Sequence, residues 1–185
     1  MKIDELRGGM FAVARAGNSL EKMIFEKENV SGESDKISLF LIRNAKESDI
    51  NELLEIEQDC FCNSRLQKYQ FKYLLRHGKC DFIICEENQK VAGYAISLYR
   101  KNSTEARIYS IAIHSRYRKK GYGVLILNEI SQRAIQHGCR SIRLEMDISN
   151  EVARKFYEKI GFMKNGIIDH YYGNNLKALK LRKIL

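Results

Sequence analysis

A basic, glycine-containing loop between a predicted strand and a predicted helix constrains the fold of this 185-residue chain most. The strand spans 106–114 and the helix spans 123–137, and between them stands Arg118-Lys119-Lys120-Gly121-Tyr122-Gly123. A helix start leaves backbone N–H groups unpaired and carries a partial positive charge, and glycines let a ligand approach that backbone closely. Basic side chains add charge-assisted hydrogen bonds. The loop therefore predicts a site for phosphate groups.

The spacing within this loop departs from two common phosphate motifs. The Gly-Lys-Ser/Thr ending of a P-loop is missing, and the dinucleotide fingerprint Gly-x-Gly-x-x-Gly is incomplete. Because Gly-x-Gly before a helix is by itself a weak signal, the neighbouring segments have to decide what the loop binds.

The remaining pattern predicts an α+β chain around this loop. Consecutive strands at 81–85, 91–99 and 106–114 predict a meander, and the helix after the loop followed by an alternating strand at 141–148 predicts a βαβ unit. The other predicted elements are a strand at 38–43, a helix that opens at Ser48-Asp49, helices at 66–76 and 151–160, and closing segments at 162–172 and 178–185. Ser48 or Asp49 is expected to cap the first of these helices. Asn150 is expected to cap the helix at 151–160.

Residues 1–38 are expected to form an N-terminal appendage to a domain that spans 39–185. Gly8-Gly9, Gly17-Asn18 and the polar run at 31–35 are turn and linker signals. Within this segment Leu20–Phe25 is interpreted as a short helix. No chemistry is assigned to the appendage.

The charge of the chain is concentrated in its second half. The formal net charge is +9, and residues 100–185 carry 18 Lys and Arg against 7 Asp and Glu. Such a surface attracts polyanions, which include nucleic acid, the ribosome, an acidic membrane surface and a phosphorylated cofactor. Charge alone does not choose among them, and a solvated basic surface remains the alternative.

The cysteines and histidines show no metal-binding pattern. Five cysteines include no Cys-x-x-Cys pair, and the four histidines are scattered, so no metal is expected. Several reduced thiols are typical of a cytoplasmic protein. No apolar run approaches the roughly 20 residues that cross a bilayer, so no membrane is expected as a partner.

Three segments together carry a resemblance to a known family. The string Ile-Ala-Ile-His-Ser-Arg-Tyr-Arg-Lys-Lys-Gly-Tyr-Gly at 111–123 resembles the signature of the GNAT acetyltransferase superfamily. Leu-Glu-Met-Asp at 144–147 and Phe-Tyr-Glu-Lys-Ile-Gly-Phe at 156–162 look like the second half of that family, and Tyr171-Tyr172 is similar to its RimI-type branch. The resemblance covers about 40–185. It implies a mixed, mostly antiparallel central sheet of about six or seven strands flanked by about four helices.

The resemblance also implies acetyl-CoA as co-substrate and a set of residues that bind it. The pantetheine arm would pair with a strand backbone, the pyrophosphate would lie on the basic loop, and a polar side chain would add a further contact. These residues are Ile111, Ala112, Ile113, Arg118, Lys119, Lys120, Gly121, Tyr122, Gly123, Val124 and Asn150. Splaying between the strand of Ile111 and the strand of Glu145 would open the slot.

Transfer of an acetyl group to an amine needs a proton acceptor and a proton donor. An α-amine with a pKa of about 7.7–8.0 is largely protonated at neutral pH, so a general base assists it, and the leaving thiolate needs a proton. The RimI-type match implies Glu145 as base and Tyr157 as acid. Considered alone, Glu145 is more readily interpreted as a solvated or salt-bridged strand carboxylate, and Tyr157 as a helix tyrosine packed at the edge of the core.

The RimI-type match implies the N-terminal α-amine of a protein, such as a ribosomal protein, as acceptor. Tyr171 and Tyr172 would line the acceptor groove, although strand-end aromatics that cover the core fit equally well. A Pro-Trp pair common in this branch is absent after Phe61, which bears on the substrate. Alternatives are a GNAT enzyme that acetylates a small amine or lysine, and a non-catalytic module that binds acetyl-CoA or nucleic acid. No specific nucleic-acid partner is expected, and the chain is expected to be a monomer or weak homodimer.

Overall fold

The computed structural model describes the backbone of residues 10–16, 20–26, 38–62, 65–171 and 177–185, and the side chains within these ranges from residue 40 onward. The described strands form one nine-stranded sheet in the order β1-β2-β3-β4-β5-β6-β7-β9-β8. The strands are β1 Met10–Ala16, β2 Leu20–Glu26, β3 Ser38–Asn44, β4 Cys80–Glu87, β5 Lys90–Leu98, β6 Glu105–Ile113, β7 Ser141–Asp147, β8 Met163–Ile168 and β9 Ala178–Ile184.

Four α-helices flank this sheet in the described part of the chain. They are α1 Ile50–Cys60, α2 Lys68–His77, α3 Tyr122–Gln136 and α4 Glu151–Lys159. Every strand pair is antiparallel except β6 with β7, which are parallel and are joined through α3. The expected architecture of a mostly antiparallel sheet with about four helices is confirmed, with seven strands from β3 onward and two more at one edge. None of the described helices has the length and apolar character needed to cross a bilayer.

The interpretation of Leu20–Phe25 as a short helix is wrong. Leu20–Glu26 is strand β2, which pairs with β1 on one side and with β3 on the other. A helix of one or two turns would leave most of its backbone N–H and C=O groups unpaired at its ends. A strand with a partner on each side pairs these groups with its neighbours. Long-range pairing therefore overrides the local preference of this short segment.

The start of α1 also differs from the expected capping. A short 3-10 turn at Glu47–Asp49 precedes the helix, and the Asp49 side chain makes no capping hydrogen bond to α1. Asp49 instead accepts from the backbone N–H of Lys46 at 2.7 Å and forms an ion pair with Arg43 at 2.8 Å. Because a buried carboxylate needs a charged partner, the ion pair with β3 takes precedence over the cap.

The two faces of the sheet are covered by different helix pairs. The helices α3 and α4 bury one cluster, which includes Ile126, Ile130 and Leu144. The helices α1 and α2 bury a second cluster on the other face, which includes Phe71 and Tyr94. Side chains alternate between the faces along β7, so Ile142, Leu144 and Met146 join the first cluster and Glu145 faces the side of α1 and α2.

Candidate active site

The central feature of the candidate site is a gap between β6 and β7. The two parallel strands pair only where 105–107 lie beside 141–143, and they separate beyond those positions. On its other side β6 carries a bulge, because Ile96 pairs with Ser110 while Ser97 pairs with Ile108, which leaves Tyr109 as the extra residue. The predicted splaying is therefore confirmed. It opens a cleft of about 510 Å³ in which a residue from α1, Glu57, faces residues of β6, β7 and α4.

The backbone of β6 presents hydrogen-bonding groups to this gap. The N–H of His114 donates to the carbonyl of Ala92 at 3.0 Å, and Ala112 pairs with Tyr94, so these residues direct their backbone toward β5. By alternation, the backbone groups of Ile111 and Ile113 point toward the gap. The carbonyl of Ile113 accepts from Arg118 Nε at 3.1 Å, which leaves the N–H and C=O of Ile111 available in the cleft.

The basic loop follows β6 and contains two residues with left-handed backbone. Lys119 has φ of 63° and Gly121 has φ of 86°, with Lys120 between them outside that region. Such alternation turns successive N–H groups toward one side, which forms a concavity suited to an anion. Arg118 lies across the base of the loop and forms an ion pair with Asp59 at 3.7 Å.

The carboxylate of Glu87 supports the basic loop. Lys120 Nζ donates to Glu87 at 3.1 Å, and Tyr122, at the start of α3, also donates to Glu87. Tyr122 is buried and stacks on Phe40 with ring centroids 4.9 Å apart. Burial raises the pKa of the Tyr122 hydroxyl far above its ordinary value, and the hydrogen bond to Glu87 raises it further. Both lysines are exposed, but Lys120 and Tyr122 fix the loop through Glu87, whereas Lys119 forms no ion pair with a described residue.

The first turn of α3 leaves two backbone donors open. The N–H of Val124 is used by the carbonyl of Gly121 at 3.0 Å, so the unpaired helical donors are those of Tyr122 and Gly123. At Gly121 the space around a hypothetical Cβ is empty to 4 Å, whereas at Gly123 it would meet the ring of Phe156 at 3.0 Å. The helix start is therefore open at Gly121, where an anion can approach the backbone, and packed against Phe156 at Gly123.

Glu145 lies in the cleft with its side chain 3% exposed. One carboxylate oxygen accepts from Arg107 Nε at 2.8 Å, and the other accepts from Arg143. The alternative of a salt-bridged strand carboxylate is thus correct as a description of its contacts. The two guanidinium groups supply the charged partners that a buried carboxylate needs.

Arg107 connects Glu145 to Tyr171 within the cleft. Its second nitrogen, Nη2, donates to the hydroxyl of Tyr171, which lines the same cleft. Burial raises the pKa of the Tyr171 hydroxyl. Tyr171 therefore lies in the same cleft as the carboxylate, and its role in binding an acceptor stays a prediction. Tyr172 lies outside the described residues.

The helix α4 brings two further predicted residues to the cleft. Asn150 caps the helix, because its side-chain oxygen accepts from the N–H of Ala153 at 3.0 Å, which confirms the capping prediction. Tyr157 is buried and packs edge-on against Phe162, with ring centroids 5.5 Å apart. Both residues line the cleft that contains Glu145. The structure therefore gathers the predicted base, the predicted acid and Asn150 from two elements around one gap.

Comparison with known proteins settles the family. The Acetyltransferase (GNAT) family matches residues 50–162, which include the loop, the gap and both strands around it. The chain belongs to the GNAT acetyltransferase family. The family uses acetyl-CoA as its acetyl donor, and within the described residues no three His, Cys, Asp or Glu side chains are grouped to hold a metal.

Several relatives of this GNAT protein are N-terminal acetyltransferases by name. The chain is 27% identical over 169 residues to an N-alpha-acetyltransferase of Saccharolobus solfataricus, covering 83% of this chain and 98% of that protein. It is 30% identical over 117 residues to N-alpha-acetyltransferase 30 of Xenopus laevis, covering 62% of this chain but only 43% of that protein. The fold matches the ribosomal-protein-S18-alanine N-acetyltransferase of Escherichia coli with a TM-score of 0.70 at 22% identity, covering 78% of this chain and 93% of that one.

Three charged residues of this GNAT site were not predicted from the sequence. Arg107 and Arg143 hold Glu145, and Glu57 is 2% exposed on the α1 wall of the cleft. Glu57 accepts from the backbone N–H of Leu66 at 2.6 Å and from the hydroxyl of Tyr94, and burial raises its pKa. Arg107 and Arg143 alternate with apolar residues along β6 and β7, and this alternation predicts that each strand has a polar face. Nothing in the sequence indicates that the two arginines contact Glu145. Glu57 gives no local signal beyond its place in an amphipathic helix.

Proposed function

We propose that this GNAT enzyme transfers the acetyl group of acetyl-CoA to the N-terminal α-amine of a protein. One observation carries the proposal: a buried carboxylate held by two arginines and a buried tyrosine line the gap next to a helix start with open backbone donors. This arrangement supports a proton acceptor and a proton donor on either side of a thioester that lies in an extended conformation along β6. The catalytic domain spans 39–185, and the two N-terminal strands extend its sheet.

Backbone groups hold most of the acetyl donor in this proposal. The N–H groups of Tyr122 and Gly123 and the concavity at Lys119–Gly121 receive the pyrophosphate, with Arg118 and Lys119 as nearby cations. The backbone of Ile111 pairs with the pantetheine arm, and its N–H is the donor available to the thioester carbonyl oxygen. Ala112 and Val124 act through packing, because their backbone groups are used within the fold. Asn150 has one side-chain oxygen committed to the cap and its amide N–H₂ group available to the ligand.

The chain's own residues move two protons. Glu145 accepts the proton that the acceptor ammonium loses, directly or through a water, and the amine nitrogen then forms a bond to the thioester carbon. The carbon–sulfur bond breaks, and Tyr157 donates its hydroxyl proton to the departing sulfur. The acetylated nitrogen releases its second proton, which restores the Tyr157 hydroxyl through water, and Glu145 passes its proton to the solvent. The products are an N-acetylated acceptor and coenzyme A.

The acidity of the acceptor ammonium favours an α-amine over a lysine side chain. A carboxylate is in general a weak proton acceptor, so a carboxylate base suits an acceptor that releases its proton easily. An α-ammonium has a pKa of about 7.7–8.0 and a lysine ammonium about 10.4, a difference of about 2.5 units or about 3.4 kcal/mol. The names of the Saccharolobus and Xenopus relatives point the same way.

A ribosomal protein is the proposed acceptor class within this activity. The support is the fold match to an enzyme named for ribosomal protein S18, together with the basic second half of the chain, which suits approach to a ribonucleoprotein. The five cysteines are all unpaired, as in the reducing cytoplasm where such acceptors are made.

The test is mass spectrometry of protein N-termini from cells with and without the active enzyme, paired with assays of the purified enzyme. We expect a defined set of N-termini to lose acetylation when Glu145→Gln replaces the wild-type chain. In the purified system, N-terminal peptides should be acetylated faster than polyamines, amino sugars or lysine side chains in peptides with blocked N-termini. Turnover on small amines alone, with no change in cellular N-termini, would sink the proposal.

A further inference from the structure

A second cavity of about 680 Å³ lies beside the catalytic cleft on the face covered by α1 and α2. It is bordered by α2, by the end of β5 and by the beginning of β6. Its walls include Tyr69 and Tyr73 from α2, Lys79 and Arg100 from the ends of adjacent strands, and Tyr109 from the bulge. We call this cavity the α2 groove. None of the residues given a role in acetyl-CoA binding lines it.

The α2 groove continues directly from the site of acetyl transfer. Arg107 and Tyr109 line both the catalytic cleft and the α2 groove. The loop at Lys119–Gly121 lies after the C-terminal end of β6, whereas the groove lies at its N-terminal end. With a rise of about 3.3 Å per residue, the six steps from Arg107 to Ile113 separate the two by about 20 Å. A chain whose first residue reaches Glu145 can therefore leave through the groove without meeting the acetyl donor.

The α2 groove has an excess of positive charge. Its one carboxylate, Glu105, is neutralised by Arg143 at 3.1 Å and by Arg182 at 2.9 Å. Lys79 and Arg100 are exposed and form no ion pair with any described residue. Two uncompensated cations therefore face the passage along which an acceptor leaves the cleft.

The aromatic side chains of the α2 groove suit an extended polypeptide. Tyr69, Tyr73 and Tyr109 are 71%, 63% and 39% exposed, which is high for large aromatic residues. Tyrosine offers a flat apolar surface and a hydroxyl group at a low cost in conformational entropy, and it is enriched where proteins bind peptides and other proteins. Cations beside exposed tyrosines match a peptide segment that carries acidic side chains.

We propose that the α2 groove binds the residues that follow the acceptor N-terminus and selects acceptors in which this segment is acidic. The inference rests on the proposed function, because it assigns the acceptor's downstream segment to a surface next to the transfer site. Lys79 and Arg100 provide the charge selectivity, and the tyrosines provide contact area that does not depend on sequence.

The experiment uses the full-length enzyme and synthetic peptides that share their N-terminal residues and differ only in the downstream segment, which is acidic, uncharged or basic. We expect kcat/KM to fall from acidic to uncharged to basic, with about a tenfold span at low ionic strength that shrinks as salt is added. The double variant Lys79→Glu/Arg100→Glu should reverse the order. The matched double variant Lys159→Glu/Lys164→Glu makes the same charge change at exposed positions outside both cavities and should keep it.

The outcomes separate this inference from the function on which it rests. Acetylation of all three peptides at equal rates, or a loss of the order in both double variants, would overturn the selectivity and leave the N-terminal activity standing. If small amines were acetylated and no peptide were, the proposed function would fail and the groove would have no acceptor to bind. Thermal unfolding of the variants excludes a folding defect, since Lys79 and Arg100 are exposed.

Discussion

The two ends of β6 are built in different ways. At its C-terminal end the candidate anion site uses backbone N–H groups, two left-handed residues and the first turn of α3. At its N-terminal end the candidate acceptor side uses charged side chains: Glu145 held by Arg107 and Arg143, with Tyr171 bound to Arg107. A site made of backbone N–H groups is therefore encoded by a short continuous motif, whereas a site made of charged side chains is assembled from segments that are distant in the sequence.

The same difference predicts how each end responds to change. A backbone site depends on conformation, so it should be sensitive to glycine replacement and tolerant of the loss of a cation that is already paired. A side-chain site depends on charge, so it should respond to isosteric neutral substitutions and to pH. Four measurements can break or sharpen this contrast.

The largest effect is expected at Glu145. Replacement by Gln keeps the shape and removes the proton acceptor, so kcat should fall about a hundredfold or more, while the affinity for acetyl-CoA stays within about twofold. Steady-state kinetics and equilibrium binding measure the two quantities. Asp147→Asn, on the same strand and in the same cleft, is the control and should keep most of the activity. Equal losses in both variants would remove Glu145 from its special role.

The next effect is expected at Gly121, where φ is 86° and a Cβ would meet no neighbour within 4 Å. Alanine is strained in this conformation by roughly 1–2 kcal/mol, and relief of that strain redirects the N–H groups of the loop. Binding of acetyl-CoA should weaken about tenfold. Gly138→Ala is the matched control, with φ of 77° and the same free space at the other end of α3. Gly138→Ala should lose a similar amount of folding stability and keep its affinity for acetyl-CoA. If both variants bound acetyl-CoA more weakly, the result would argue against a backbone anion site.

A pH-dependent change in stability is expected at Glu57. Burial raises the pKa of Glu57 in the folded protein above its ordinary value of 4.5. As the pH rises above 4.5, Glu57 therefore ionises in the unfolded state before it ionises in the folded state. The wild type loses stability over this range, until the pH passes the folded-state pKa. Glu57→Gln cannot ionise. Its free energy of unfolding relative to wild type should therefore rise with pH in that window, by at most about 1.4 kcal/mol per pH unit. Denaturant unfolding at several pH values measures this, with Glu55→Gln on the exposed side of α1 as the matched control.

The smallest effect distinguishes two adjacent lysines. Lys120 already donates to Glu87, whereas Lys119 is exposed and forms no ion pair with a described residue. We expect Lys119→Ala to weaken acetyl-CoA binding about threefold through the loss of a screened surface cation. Lys120→Ala should change it less, because its charge is already engaged. Titration calorimetry at low and high salt would show the ordering, and the reverse order would mean that Lys120 leaves Glu87 when ligand binds.

Much of the fold could be predicted because its signals are local. Alternation fixed the face of Glu145, Gly-x-Gly before an apolar periodic segment located the start of α3, and Asn150 stood at the expected N-cap. The interpretation of Leu20–Phe25 failed because the strand identity of a short segment depends on its partners, and β2 has a partner on each side. Asp49 failed as a cap of α1 for the same kind of reason, since its partner Arg43 lies on β3.

The sequence by itself determined the family, the α+β class and the place of the candidate anion site, because each of these depends on residues that are neighbours along the chain. Only the tertiary structure decided that Arg107 and Arg143 hold Glu145, that Glu57 is buried in the same cleft, and that the α2 groove continues from the candidate active site. These contacts join residues on strands and helices that are far apart in sequence. Their geometry is set by where β6 and β7 stop pairing, and that separation has no motif of its own.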